Sequence, residues 1–320
     1  MSAESSYEST AAAVSYRPHV GTGDISRTVE DPAAVSVDYF DLTSLDGREG
    51  IAGLFRPASP ADGAPLVLSV HGSGGSLFKD PIWPFATGLA ARGVPTLAVN
   101  TRQHDDAVNT DHFFASVRDI EAGYWLARSL GYDRIVLHGH SLGSVQMSYF
   151  AGSYWYPEIV GVMLTGMPAR LPWKSRYILI GDEELYGTFE REATAAMRAG
   201  DFFRVLGPGM PWINDIVTPT TAAHFASYRD SRLAAPNSVD WVARVPYPIL
   251  MVRDEHDTVI LPFEATWMAA AAREGLSPSV TAVVLSSEAG SNGHLFQTSM
   301  PQLVDTAAAW LASGVLAREA

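Results

Sequence analysis

Apolar and polar positions alternate along this chain in two periods, and the switches between them lay out its elements. The runs VSVDYFDLTSL and IAGLFRP flank Asp46-Gly47, a pair suited to a tight turn, and so predict a hairpin of two antiparallel strands. PLVLSV (65–70), PTLAVN (95–100), RIVLHG (134–139), IVGVMLTG (159–166), YPILMV (247–252) and VTAVVLS (280–286) are short apolar runs that read as strands, the first of them a buried one. Stretches of helical period lie between them. Phe113, Val117, Ile120, Tyr124 and Ala127 recur at three- and four-residue steps, one stripe of an amphipathic helix over 113–130. PFATGLAARG (84–93), LGSVQMSYFAGSY, a stretch around 262–274 and another near 301–316 read as further helices.

Strands alternating with helices require right-handed crossovers, which makes the sheet parallel and covers both its faces. The predicted fold is therefore α/β, a mainly parallel eight-stranded sheet with helices on both faces and the hairpin as an antiparallel edge. Roughly eighty residues separate the strand runs ending at 166 and beginning at 247, too many for a plain connection. That stretch holds the helix-like pieces DEELYGTFEREATAAMRAG and TPTTAAHFASYRD and many aromatic residues, so 168–243 reads as an inserted helical cap. Residues 35–167 and 244–320 then form the core domain. Residues 1–34, small, polar and aperiodic, read as a flexible arm.

Composition acts by exclusion. The chain of 320 residues is 47% hydrophobic and 18% charged, ordinary for a soluble globular protein. With 35 acidic against 22 basic residues, a net charge of −13 and no basic run, neither nucleic acid nor an anionic membrane is expected as a partner. The absence of cysteine excludes disulfides, zinc–thiolate sites, iron–sulfur clusters and a thiol nucleophile. The opening MSAESSYESTAAAVSYRP has no basic start and no apolar stretch of signal-peptide length, and no apolar segment approaches membrane-spanning length, so a cytoplasmic location is expected. His104, Asp105, Asp106, Asp111 and His112 cluster in sequence but share no helix face or known ligand spacing, so no metal and no cofactor are expected.

In RIVLHGHSLGSVQM, Ser141 follows a strand and opens a helix. A strand-to-helix turn that sharp crowds the backbone, so its flanks must lack bulk, which Gly139 and Gly143 provide. Ser141 is then held in a strained conformation with its hydroxyl clear of the sheet, beside the amides and positive dipole end of the helix. A serine hydroxyl is a poor nucleophile without a base in hydrogen-bonding reach, itself oriented by an acid. His294, in the Gly-rich loop SSEAGSNGHLFQ after the last strand, is the candidate base, expected on an exposed loop. His138 is expected to point into strand packing, and His140 to pack rather than react. YPILMVRDEHDTVILP offers Asp254, Glu255 and Asp257 as the acid. Asp257 is preferred, because the apolar residues after it would anchor the turn and aim its carboxylate inward, with Asp254 as the alternative.

Taken together, GHSLG, the loop HGSGG after an early strand, RDEHDTVILP and SNGHLF resemble the α/β-hydrolase fold superfamily over nearly all of residues 35 to 316. By that resemblance Ser141 is the nucleophile, His294 the base and Asp257 its orienting acid. His71-Gly72 would shape an oxyanion loop, with the backbone amides of Ser73 and Leu142 as donors and Gly74 as a substitute for Ser73. One departure is Asn100-Thr101-Arg102-Gln103-His104-Asp105, where members often carry Asp-x-Arg-Gly-x-Gly. A serine at this elbow points to attack on an electrophilic carbonyl, and the leading expectation is a serine hydrolase of a carboxylic ester or lactone acting through an acyl-serine. The alternatives are carbon–carbon hydrolysis of a diketone and a non-catalytic ligand-binding receptor on the same fold. The aromatics of the insert, Trp173, Tyr177, Tyr186, Phe189, Phe202, Phe203, Trp212, Phe225, Tyr228 and Trp241, suggest a small-molecule substrate that is bulky and apolar or aromatic, although most are expected to pack the cap onto the core. A homo-oligomer is a further expectation.

Overall fold

Successive side chains leave opposite faces of a strand, so a strand buried throughout must serve two cores at once. The computed structural model describes residues 15–19, 27–31, 33–211, 216–232 and 236–316. Its strands are β1 (Ser15–Pro18), β2 (Val35–Thr43), β3 (Glu49–Pro57), β4 (Leu66–Val70), β5 (Thr96–Val99), β6 (Ile135–His140), β7 (Ile159–Thr165), β8 (Met210–Pro211), β9 (Val217–Thr218), β10 (Ile249–Asp254) and β11 (Val280–Leu285). The longer helices are α1 (Ile82–Ala90), α2 (Phe113–Ser129), α3 (Leu142–Ser153), α4 (Glu183–Arg198), α5 (Pro262–Glu274) and α6 (Met300–Ala312).

Nine strands form one sheet in the order β1-β2-β3-β5-β4-β6-β7-β10-β11, while β8 and β9 make a separate ribbon. Strands β4 to β7, β10 and β11 run parallel. Antiparallel pairing at β1, β2 and β3 forms the edge, with Gly47 at φ +80° turning the β2–β3 hairpin. The ninth strand is β1, which pairs with β2 from inside the segment expected to be a flexible arm. Its register aligns Arg17 with Asp41, and their side chains meet at 3.0 Å. Residues 1–14, 20–26 and 32 of that segment lie outside the described residues.

The two cores follow strand alternation. Leu66, Leu68, Val70, Ile135 and Leu137 face α2, α3 and α5. Val67 and Val136, their neighbours in sequence, face α1 and α6 together with Val160, Met163, Leu250 and Val252. Fully burying a side chain of this size contributes about 2 kcal/mol, so the strand centres anchor everything at their ends. Between β7 and β10, Ile180, Tyr186, Phe189, Leu206, Met210 and Phe225 form a smaller core of their own around α4. A buried ion pair binds this segment to α5 and the turn before it: Lys174 Nζ lies 2.5 Å from Glu264 Oε2 on α5 and 2.5 Å from the Val259 carbonyl. Among the described residues, no helix is long and apolar enough to cross a membrane.

Arg102, in the loop that departs from the family pattern, joins three elements. Its guanidinium donates to both oxygens of Asp46 at 2.8 Å, and Nη2 donates to Asp119 Oδ1 on α2 at 2.8 Å. Its backbone N–H also donates to Asp119 Oδ2 at 2.7 Å. Hydrogen bonds from Arg102 hold the Asp46 carboxyl well below the usual carboxylate range. Removing one partner strands a buried charge. Arg102→Ala is therefore expected to lower stability to urea by about 3 kcal/mol or more, read as a shift of the denaturation midpoint.

Candidate active site

Between β6 and α3 the chain reverses at Ser141, whose φ of 53° and ψ of −119° lie where non-glycine residues are strained by about 1–3 kcal/mol. The flanking glycines make the reversal feasible. A Cβ on Gly139 would lie 2.3 Å from the Gly143 carbonyl oxygen, and one on Gly143 would lie 2.6 Å from that of His71. Gly72 is equally confined, since its Cβ would stand 2.8 Å from Cβ of Ser141.

His294 reaches this point from the short turn Gly293–Leu295, where the Asn292 side chain accepts from the Leu295 amide at 3.3 Å. Its Nε2 lies 3.0 Å from Ser141 Oγ, and its Nδ1 lies 2.9 Å from Asp257 Oδ2. An ionised carboxylate only accepts, so Nδ1 carries the proton and the Nε2 lone pair faces the serine hydroxyl. Asp257 is fixed in turn: Oδ1 accepts from the amides of Val259 and Ile260, both at 2.8 Å. The alternative acid, Asp254, is occupied elsewhere, accepting from the His256 amide at 2.8 Å, Ser287 Oγ at 2.7 Å and the Ser299 hydroxyl.

The loop bearing His294 is exposed over Glu288–Gly290 and at Asn292, as expected, but His294 itself is buried. The residue is 7% accessible, because Gly293 presses on the acid turn, where a Cβ would lie 2.6 Å from the Asp257 nitrogen. Gly166, a position the sequence did not single out, touches the other side, its would-be Cβ 3.2 Å from His294 Cε1.

Beside the serine, His71 locks the loop that begins at Gly72. Its Nε2 accepts from the Thr101 amide at 3.1 Å, so Nδ1 carries the proton and donates to the Gly72 carbonyl at 2.7 Å. Burial lowers the His71 pKa to about 4. Ser73 lines the cleft beside Ser141, and Leu142 opens α3, where a first-turn amide has no intrahelical acceptor. Ser73 Oγ is buried with no hydrogen-bond partner among the described residues.

The cleft holds about 360 Å³, at the small end for ligand sites, and ten of its sixteen lining residues are polar or charged. Asp80, His256, Thr258, Ser291 and Asn292 also line it, and the only insert residue on its described wall is Ile216. The insert's aromatics go elsewhere. Tyr186, Phe189 and Phe225 fill the small core. Trp173 packs on Phe263 and Trp267, Tyr228 on Phe113 and Trp241 on Tyr149. Tyr177, Phe202 and Phe203 are exposed, and Trp212 lies outside the described residues.

His138 is buried against Phe85 and bonded to Ser69 and Thr165, and burial lowers its pKa to about 3. His140 is buried yet borders the cleft, its ring centroid 4.9 Å from that of His294. The His104–His112 cluster divides among separate partners: His104 bonds Asp105, Asp105 pairs with Lys79, Asp111 lies near Arg102, and His112 caps α2. Among the described residues, no three such groups gather to hold a metal ion.

A family model described as Alpha/beta hydrolase family matches residues 67–307. No curated protein matches the sequence. Among solved structures, Est1E from Butyrivibrio proteoclasticus is similar at 17% identity and TM-score 0.62, over 89% of this chain and 100% of that one. The esterase Pf2001 of Pyrococcus furiosus is similar at 14% identity and TM-score 0.60, over 90% and 96%. The esterase domain of a Rhodothermus marinus protein is similar at 17% identity and TM-score 0.57, over 86% and 97%.

Because His71 takes up its proton less readily folded than unfolded, the stability it contributes is fully present above about pH 6.5 and is lost as pH falls toward 4. Urea denaturation at pH 7.5 and 4.5 should show this loss. In His71→Gln the difference between the two pH values should shrink by roughly 2 kcal/mol.

Proposed function

Because the chain belongs to the alpha/beta hydrolase family, we propose that it is a serine hydrolase that cleaves a small carboxylic ester or lactone through an acyl-serine intermediate. The observation that carries this reading is the unbroken hydrogen-bonded line from Ser141 Oγ through His294 to Asp257, at 3.0 and 2.9 Å, on the wall of the cleft.

In this mechanism Ser141 Oγ attacks the carbonyl carbon as His294 Nε2 takes the hydroxyl proton. The carbonyl π pair moves onto oxygen, where the amides of Ser73 and Leu142 stabilise the negative charge, a role in which one donor is worth about 3 kcal/mol. Collapse of the tetrahedral intermediate breaks the carbon–oxygen bond to the alcohol, which leaves with the proton from His294. Water then attacks the acyl-serine by the same route and releases the acid. Asp257 keeps the imidazole in the tautomer with its lone pair toward Ser141 and stabilises the imidazolium as it forms. The residues 168–243 serve as a cap over this chemistry, and the small volume of the cleft favours short acyl groups.

A fluorophosphonate probe is expected to label the wild type and not Ser141→Ala. With p-nitrophenyl butyrate, His294→Ala and Asp257→Asn should each lower kcat by about 10⁴-fold or more, and butyrate should be cleaved faster than decanoate. An unlabelled wild type, or esters of every length left uncleaved, would remove this function.

A further inference from the structure

We propose that His256 is a specificity-determining residue that accepts a hydrogen bond from a hydroxyl group of the substrate, which makes hydroxylated esters the preferred class. The inference rests on the hydrolase reading of the same cleft. His256 borders that cleft with Ser141 and His294, and its side chain is 38% exposed.

The donors and acceptors around the ring fix which nitrogen carries the proton. His256 Nδ1 lies 3.1 Å from Ser287 Oγ. Ser287 has one hydroxyl hydrogen, and it goes to Asp254 Oδ1 at 2.7 Å, because a carboxylate offers only lone pairs. Ser291 Oγ donates to the same Ser287 oxygen at 3.2 Å. With its hydrogen committed, Ser287 presents only lone pairs to the imidazole. Glu255 Oε1, 3.8 Å from Nδ1, is a second acceptor on that side. Nδ1 must therefore be the protonated nitrogen of the neutral ring, and Nε2 is left as a bare acceptor.

His294 is oriented in the same way, with Asp257 in direct contact where His256 reaches Asp254 through Ser287. The two rings are mechanically joined, since a Cβ on Gly293 would lie 2.4 Å from the His256 carbonyl carbon. A substrate hydroxyl satisfies the Nε2 lone pair as water leaves, whereas an alkyl group leaves it unpaired, and that difference discriminates between substrates. The polar wall of Thr258, Ser291 and Asn292 suits the same class.

Two substrate pairs test this, one for each side of the scissile bond: p-nitrophenyl 3-hydroxybutyrate against p-nitrophenyl butyrate, and glycerol 1-acetate against propyl acetate. The wild type should favour the hydroxylated member of at least one pair by about tenfold in kcat/KM. In His256→Phe that ratio should fall to within about twofold, and in Ser287→Ala, where the positioning contact is lost, it should fall part of the way. Fluorophosphonate labelling of Ser141 in each variant reports an intact site. In the wild type at pH 8.5, the ¹⁵N shifts of His256 should identify Nε2 as the unprotonated nitrogen. Equal rates within both pairs in a labelled wild type, a ratio unchanged in labelled His256→Phe, or a proton on Nε2 would each overturn this inference alone. Loss of both labelling and ester cleavage in the wild type would overturn the hydrolase reading and this inference with it.

Discussion

The reversal at Ser141 depends on backbone meeting backbone with nothing between. The end of β4, the end of β6 and the first turn of α3 meet at Gly139 and Gly143, where not even a methyl group fits. Contacts this close fix α3 relative to the sheet, and so fix the first amides of that helix relative to the serine. They also bring Gly72 against Ser141, so the loop after β4 is set by the same packing. The strained conformation at 141 persists because the two cores on either side of the strands hold its surroundings in place.

Much of this was legible in the sequence because it rests on local period. The six parallel strands declare themselves as short apolar runs, the hairpin at Asp46-Gly47 by alternation, and the helices by repeats of about 3.6 residues. The elbow was legible for a related reason, since small residues at fixed offsets from a serine are a local steric statement. What local pattern missed lies in contacts between distant segments. Strand β1 has four exposed residues and no apolar period, so only its pairing with β2 identifies it. Asp254 and Asp257 share one turn, and what separates them is which neighbours claim their lone pairs. The aromatics of the insert looked like a pocket because composition does not say which way a ring faces.

The histidines show how far neighbours outweigh residue type. His71 and His138 are held neutral by burial, with both ring nitrogens committed to fixed partners. His294 and His256 each aim one nitrogen toward a carboxylate, directly or through a hydroxyl, and both residues line the cleft. Tautomer is the working variable in all four, and hydrogen-bond donors and acceptors on neighbouring strands and turns set it.

The pairing of Lys174 with Glu264 has a bearing on modular engineering. Glu264 also accepts from the amides of Ala169 and Leu261, and Lys174 also grips the Val259 carbonyl, two residues beyond Asp257. The root of the insert and the turn carrying the carboxylate are thus one mechanical part. A chimaera that grafts a foreign insert at these junctions must carry a matching cation at 174, or it will loosen the very turn it was meant to leave alone.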